Sequence, residues 1–405
     1  MGFATQRDRT VALGPLERSR PRFVLCNSCW SQFWFPYCIS SCVPRLFTVE
    51  SSKPEKMSRC KHTVWLSLCS GGGPDADLLL TDRVQTVISH IPSPDTKYPS
   101  FMVLMGNQTK GLALRELFGI KRDRQTTRDS HDLHLHVDPS SVFGTPSILA
   151  ESGFPDCLPG RTLVEHCHET KRLAFKQDLN SRHLRADTLY SQVLLPFADV
   201  FCFFCDDPSD FEHAAKVLCL FTQRSHSLEL PDFRPRVVIV TGTKPAGQNS
   251  EHCIRNILLS LLKRELSKDP FDFLCTIEVV NLAPHEELSG KARFRPLKER
   301  LLRLSSQARL DRQDHRMLFS AIHLGELLAN ACEHITKSQD PFSFIKSSRT
   351  YNPVPEDLNV HFCNLLKHIK SPSSLVNFAA STIASSLLLD QYPPDAHRKS
   401  NRPAA

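Results

Sequence analysis

Two groups of residues in this chain have the types and spacing for chemistry. The first is Gly106-Asn107-Gln108-Thr109-Lys110-Gly111, which follows the apolar run Phe101 to Met105. Beyond it Leu112, Leu114, Leu117 and Phe118 take up a helical spacing. A buried strand, a glycine-bounded turn and a helix in that order form the skeleton of a P-loop. In the complete motif, G-x-x-x-x-G-K-[S/T], backbone N–H groups and the helix N-terminus cradle phosphates, the lysine reaches the terminal phosphates and the hydroxyl binds Mg²⁺. Leu112 and Ala113 stand at those last two positions here. The nucleotide-binding candidates are therefore Gly106, Asn107, Gln108, Thr109, Lys110 and Gly111, acting through the backbone, with Lys110 the cation placed to compensate.

The second group is Cys26, Cys29, Cys38 and Cys42. Thiolates two residues apart can share a tetrahedral Zn²⁺, although the second pair is spaced C-x-x-x-C and no strict four-ligand pattern closes. The alternative is that these cysteines pack as small hydrophobes beside the aromatic run Phe33 to Tyr37. Zinc is the metal this pattern would take. His166-Cys167-His168 lies in a polar stretch without a second pair at metal spacing, and we read it as surface. His134 and His136 alternate with Leu133, Leu135 and Val137, which predicts a half-buried edge strand with its histidines toward solvent. No Gly-x-Ser-x-Gly nucleophile elbow occurs, and no catalytic residue is assigned.

Composition narrows the function classes. With 405 residues, 40% hydrophobic and 23% charged, the chain is globular and long enough for one large or two medium domains. Its net charge of +7 is spread over helical faces such as Lys298 to Arg312 and the loop Lys121 to Arg128, without the concentrated basic, aromatic-laced patch of a nucleic-acid binder. Most of the 15 cysteines, Cys202, Cys205, Cys219 and Cys275 among them, sit in apolar stretches, which suits a reducing compartment and a cytoplasmic location. Leu194 to Cys205 is the most lipid-like run, but Pro196 and Asp199 interrupt it, and no transmembrane segment is expected.

The elements that would position the candidate turn alternate between strand and helix. Helices are predicted at Leu78 to Ile91, Leu189 to Phe197, Phe211 to Phe221 and Ile254 to Leu266, and strands at Phe101, Leu133, Ser147, Asp199, Arg236 and Phe273. That rhythm predicts an α/β fold with a doubly wound sheet, and Gly106, Gly153 and Thr241 would then meet at the C-terminal strand ends. From Leu297 onward the pattern is helical, with helices at Gln313 to Thr336, Glu356 to Ile369 and Phe378 to Leu389. The expected organisation is a disordered start (1–20), a Cys-rich segment (21–75), a P-loop NTPase-like domain (76–290), a helical extension (291–390) and a disordered tail (391–405).

The order of these motifs resembles the N-terminal P-loop GTPase-like region of large fungal proteins that carry a patatin-like phospholipase domain downstream, of the FabD/lysophospholipase-like kind. FMVLMGNQTKGLALRELF, DLHLHVDPSSVFGTPSILAESG, LYSQVLLPFADVFCFFCDDPSDFE, RPRVVIVTGT and PFSFIKSSRTYNPVPEDL carry the resemblance, which runs from about Tyr98 to Ile369. It implies a doubly wound P-loop NTPase-like sheet. The sequence departs from the family pattern where nucleotide chemistry resides: Leu112 and Ala113 replace Gly-Lys-Ser's last two residues, Glu151-Ser152-Gly153 stands for the acidic turn, and Thr241 to Lys244 for the base-reading motif. The resemblance then implies a degenerate module without catalysis that works as a regulatory or protein-interaction domain, with GTP and Mg²⁺ bound weakly or not at all. A weak GTP or ATP binder and a zinc-dependent interaction protein are the alternative expectations.

Overall fold

The computed structural model describes residues 62–70, 76–120, 132–154, 169–175, 186–225, 234–242, 251–266, 269–272, 274–315, 317–344, 346–347 and 358–385. All of these fall in one compact unit, Cys60–Ala405. Cys26, Cys29, Cys38 and Cys42, His166 to His168, and the two segments expected to be disordered lie outside the described residues.

Nine strands form one mixed sheet: β1 (Val64–Ser70), β2 (Ala76–Thr81), β3 (Ser100–Gly106), β4 (Leu133–Val137), β5 (Ser147–Ser152), β6 (Thr170–Ala174), β7 (Val200–Cys205), β8 (Arg236–Thr241) and β9 (Thr276–Asn281). Their spatial order is β6-β2-β1-β4-β5-β3-β7-β8-β9. From β5 through β9 neighbouring strands run parallel, whereas β6, β2, β1 and β4 are joined by antiparallel pairings. The chain is an α/β protein.

The parallel strands are continuous apolar runs because both of their faces are covered. Successive side chains alternate between the two faces. Phe101, Val103, Met105, Phe201, Phe203, Val237 and Ile239 belong to one core. That core is closed by α1 (Arg83–Ser89), α3 (Pro208–Ser225), α4 (Glu251–Glu265) and α6 (Ala321–Lys337). Met102, Leu104, Val200, Cys202, Phe204, Val238 and Val240 belong to the other, beneath α2 (Gln108–Phe118) and α5 (Gly290–Asp314). A further helix, α7 (Leu358–Lys367), has no buried residue.

Three local expectations are corrected. Leu78 to Ile91 is not one helix: Leu78, Leu79 and Leu80 pair with Leu68, Ser67 and Leu66 across β1 and β2, and only Arg83–Ser89 is helical. Three consecutive leucines suit either state, and a cross-strand partner decides it. The strand carrying His134 and His136 is not an edge but lies between β1 and β5, and both histidines are buried. The helix expected at Gln313 to Thr336 is two, because α5 continues to Asp314 and α6 starts afresh where the Ser320 hydroxyl accepts the His323 N–H.

The N-terminal ends of the parallel strands are bolted to α5. Asp199, just ahead of β7, accepts the Phe101 N–H at 2.9 Å and pairs with Arg312 of α5 at 2.6 Å, both side chains buried. Arg312 also donates to the Pro196 carbonyl, Arg309 donates to the Tyr98 carbonyl, and Arg236 at the start of β8 pairs with Asp311. Removing one partner of a buried, hydrogen-bonded pair strands the other charge. Asp199→Ala is therefore expected to lower stability by about 3–5 kcal/mol in urea unfolding; an unchanged midpoint would show that this clamp contributes nothing.

Candidate functional site

In an open α/β sheet a ligand crevice forms beyond the C-terminal strand ends, where successive crossovers leave a strand in opposite directions. The strand at that point here is β3, flanked by β5 on one side and β7 on the other. Its C-terminal end carries Gly106, and the parallel registers bring Ser152, Cys205 and Thr241 to the same rim. Gly106 and Thr241 stand there as the sequence predicts, with Ser152 directly ahead of Gly153.

The six candidate residues are not arranged as an open loop. β3 ends at Gly106, α2 begins at Gln108, and the Gly111 N–H donates to the Asn107 carbonyl at 3.3 Å, so Gly111 already lies in the first helical turn. The turn between strand and helix is Asn107 alone, shorter than the glycine spacing predicts. Gly106 has φ +132°, and a Cβ there would stand 2.6 Å from the Phe204 carbonyl oxygen. Glycine is required because β3 must reverse beside β7 with no room for a side chain.

The N-terminus of α2 is met by a residue that the sequence reading missed. Asp206, directly after β7, accepts the Thr109 N–H through Oδ2 at 3.1 Å. A carboxylate thus takes the place at the helix N-terminus, next to unsatisfied N–H groups and the positive end of the dipole, where an incoming anion would be held. Gly242, after β8, closes the arrangement: a Cβ there would lie 2.9 Å from Thr109 Oγ1 and 3.3 Å from Asp206 Oδ1. The Asp206 and Asp207 N–H groups donate to Asp210 Oδ2 at 2.8 and 3.0 Å. Burial raises the Asp210 pKa above its ordinary value, against the lowering effect of those two hydrogen bonds.

Lys110 turns inward from solvent, toward the C-terminal end of β5. Its side chain is 1% exposed, its Nζ donates to the Ser152 carbonyl, and Glu151 Oε2 lies 3.4 Å away with a side chain 2% exposed. Glu151 Oε1 in turn meets His136 Nε2 at 3.1 Å, and the Ser152 and Tyr190 hydroxyls are 2.9 Å apart. The C-terminal end of β5 is thereby filled by a polar network that joins α2, β4, β5 and the helical turn Leu189–Leu194. Sequence spacing placed Lys110 in the turn, where it would face a phosphate; the early helix start rotates it onto the buried side instead.

Gln108 is exposed, and Asn107 and Gly111 are half-buried. Leu112 is exposed and Ala113 fully buried in the second core, to which Phe204 and Phe294 also belong. Position 113, where the motif has its metal-binding hydroxyl, is thus a packing position. Burial, reinforced by the charges of Asp210, Cys202 and Asp206, pushes the Cys205 thiol at this rim well up, so it stays protonated and unreactive. Among the described residues no group of three or more His, Cys, Asp or Glu side chains is arranged to hold a metal ion.

Gly106→Ala is expected to destabilise the protein by roughly 2–4 kcal/mol, through a positive φ and a backbone clash that β7 cannot relieve. A denaturation midpoint equal to wild type would mean that the strand-to-helix reversal is looser than this geometry requires.

No protein-family model matches the chain. No curated protein matches it either. Among solved structures, a crystal structure of an SsGBP mutation variant is similar at 8% identity over 52% of this chain and 57% of that chain, with a TM-score of 0.28.

Proposed function

We propose that this domain is a degenerate P-loop GTPase-like module that has given up nucleotide chemistry and acts as a regulatory or protein-interaction domain. The observation that carries the reading is that the crevice beyond β3 is occupied by the protein's own charges, Asp206 on the Thr109 N–H and Lys110 against Glu151. The position of that crevice, at a strand flanked by parallel neighbours and followed at once by a helix, supports the P-loop ancestry.

Magnitudes favour a silent site. Losing the motif lysine and the hydroxyl ligand of Mg²⁺ removes about 3–5 kcal/mol of phosphate affinity. A carboxylate about 4 Å from a phosphate oxygen opposes binding by a further ~4 kcal/mol per charge at an effective dielectric near 20. Together these come to about 7–9 kcal/mol, comparable with the roughly 8 kcal/mol of a micromolar site. Phosphoryl transfer, which depends on positioning and charge neutralisation, loses more still. The reading includes an intracellular location, supported by Cys202, Cys219 and Cys332 standing as thiols outside any disulfide.

Calorimetric titration with non-hydrolysable GTP and ATP analogues, with and without Mg²⁺, should give no binding heat at high micromolar protein. Micromolar binding of either analogue would sink the silent-module reading in favour of a nucleotide-responsive one.

A further inference from the structure

We draw no further inference here: the strongest candidate, the side-chain cluster at the N-terminal ends of β8 and β9 where Arg236 Nε and Nη1 and Thr276 Oγ1 meet no hydrogen-bond partner, carries nothing because all three atoms are fully buried and leave no room beside them for a ligand to touch.

Discussion

A lysine ammonium almost wholly removed from water survives in its charged form only beside a counter-charge and with its remaining protons accepted. Lys110 meets that constraint through Glu151 and the Ser152 carbonyl, and much of the site follows from it. Glu151 must end β5 facing α2, which fixes the register of β5 against β3, where Leu104 pairs with Glu151 and Met105 with Ser152. His136 must then be buried to meet the second carboxylate oxygen, which places β4 inside the sheet rather than at its edge. The helix that carries Lys110 starts two residues after Gly106, so no loop of the length a phosphate cradle needs is left over.

The two rims of the parallel block are held by the same kind of force applied differently. At the N-terminal rim, arginines of α5 reach to Asp199, the Tyr98 carbonyl and, through Asp311, the strand residue Arg236. At the C-terminal rim, where enzymes of this architecture keep their crevice open, Asp206 and the Lys110–Glu151 pair close it. Between the rims lies a sheet whose interior is apolar on both faces.

Legibility in the sequence followed the range of the forces. The strands from Phe101, Asp199 and Arg236 were readable because burial on both faces writes itself as an unbroken apolar run, and their shared C-terminal rim followed from the alternation with helices. The glycine at position 106 was readable as a turn, and its close approach to Phe204 explains why. Asp206 was not, because its role depends on α2 lying beside the end of β7, a contact nearly one hundred positions away in sequence. His134 and His136 misled for a related reason: period-two alternation shows two faces, but whether the polar face meets water or Thr63 and Glu151 is decided by which strands flank it. The register of the glycines likewise implied a four-residue turn, whereas the helix absorbed Gln108 to Gly111.

The central claim, that the crevice is filled by a structural ion pair rather than kept for a ligand, is tested most directly by a double-mutant cycle on Lys110→Met and Glu151→Gln, read by urea unfolding. Each single change should destabilise by about 3–5 kcal/mol, and the two together by at least ~2 kcal/mol less than their sum, because the second removes the charge that the first left stranded. Additivity within about 0.5 kcal/mol would mean that Lys110 and Glu151 are not coupled in the folded protein, and that the lysine is available to something else.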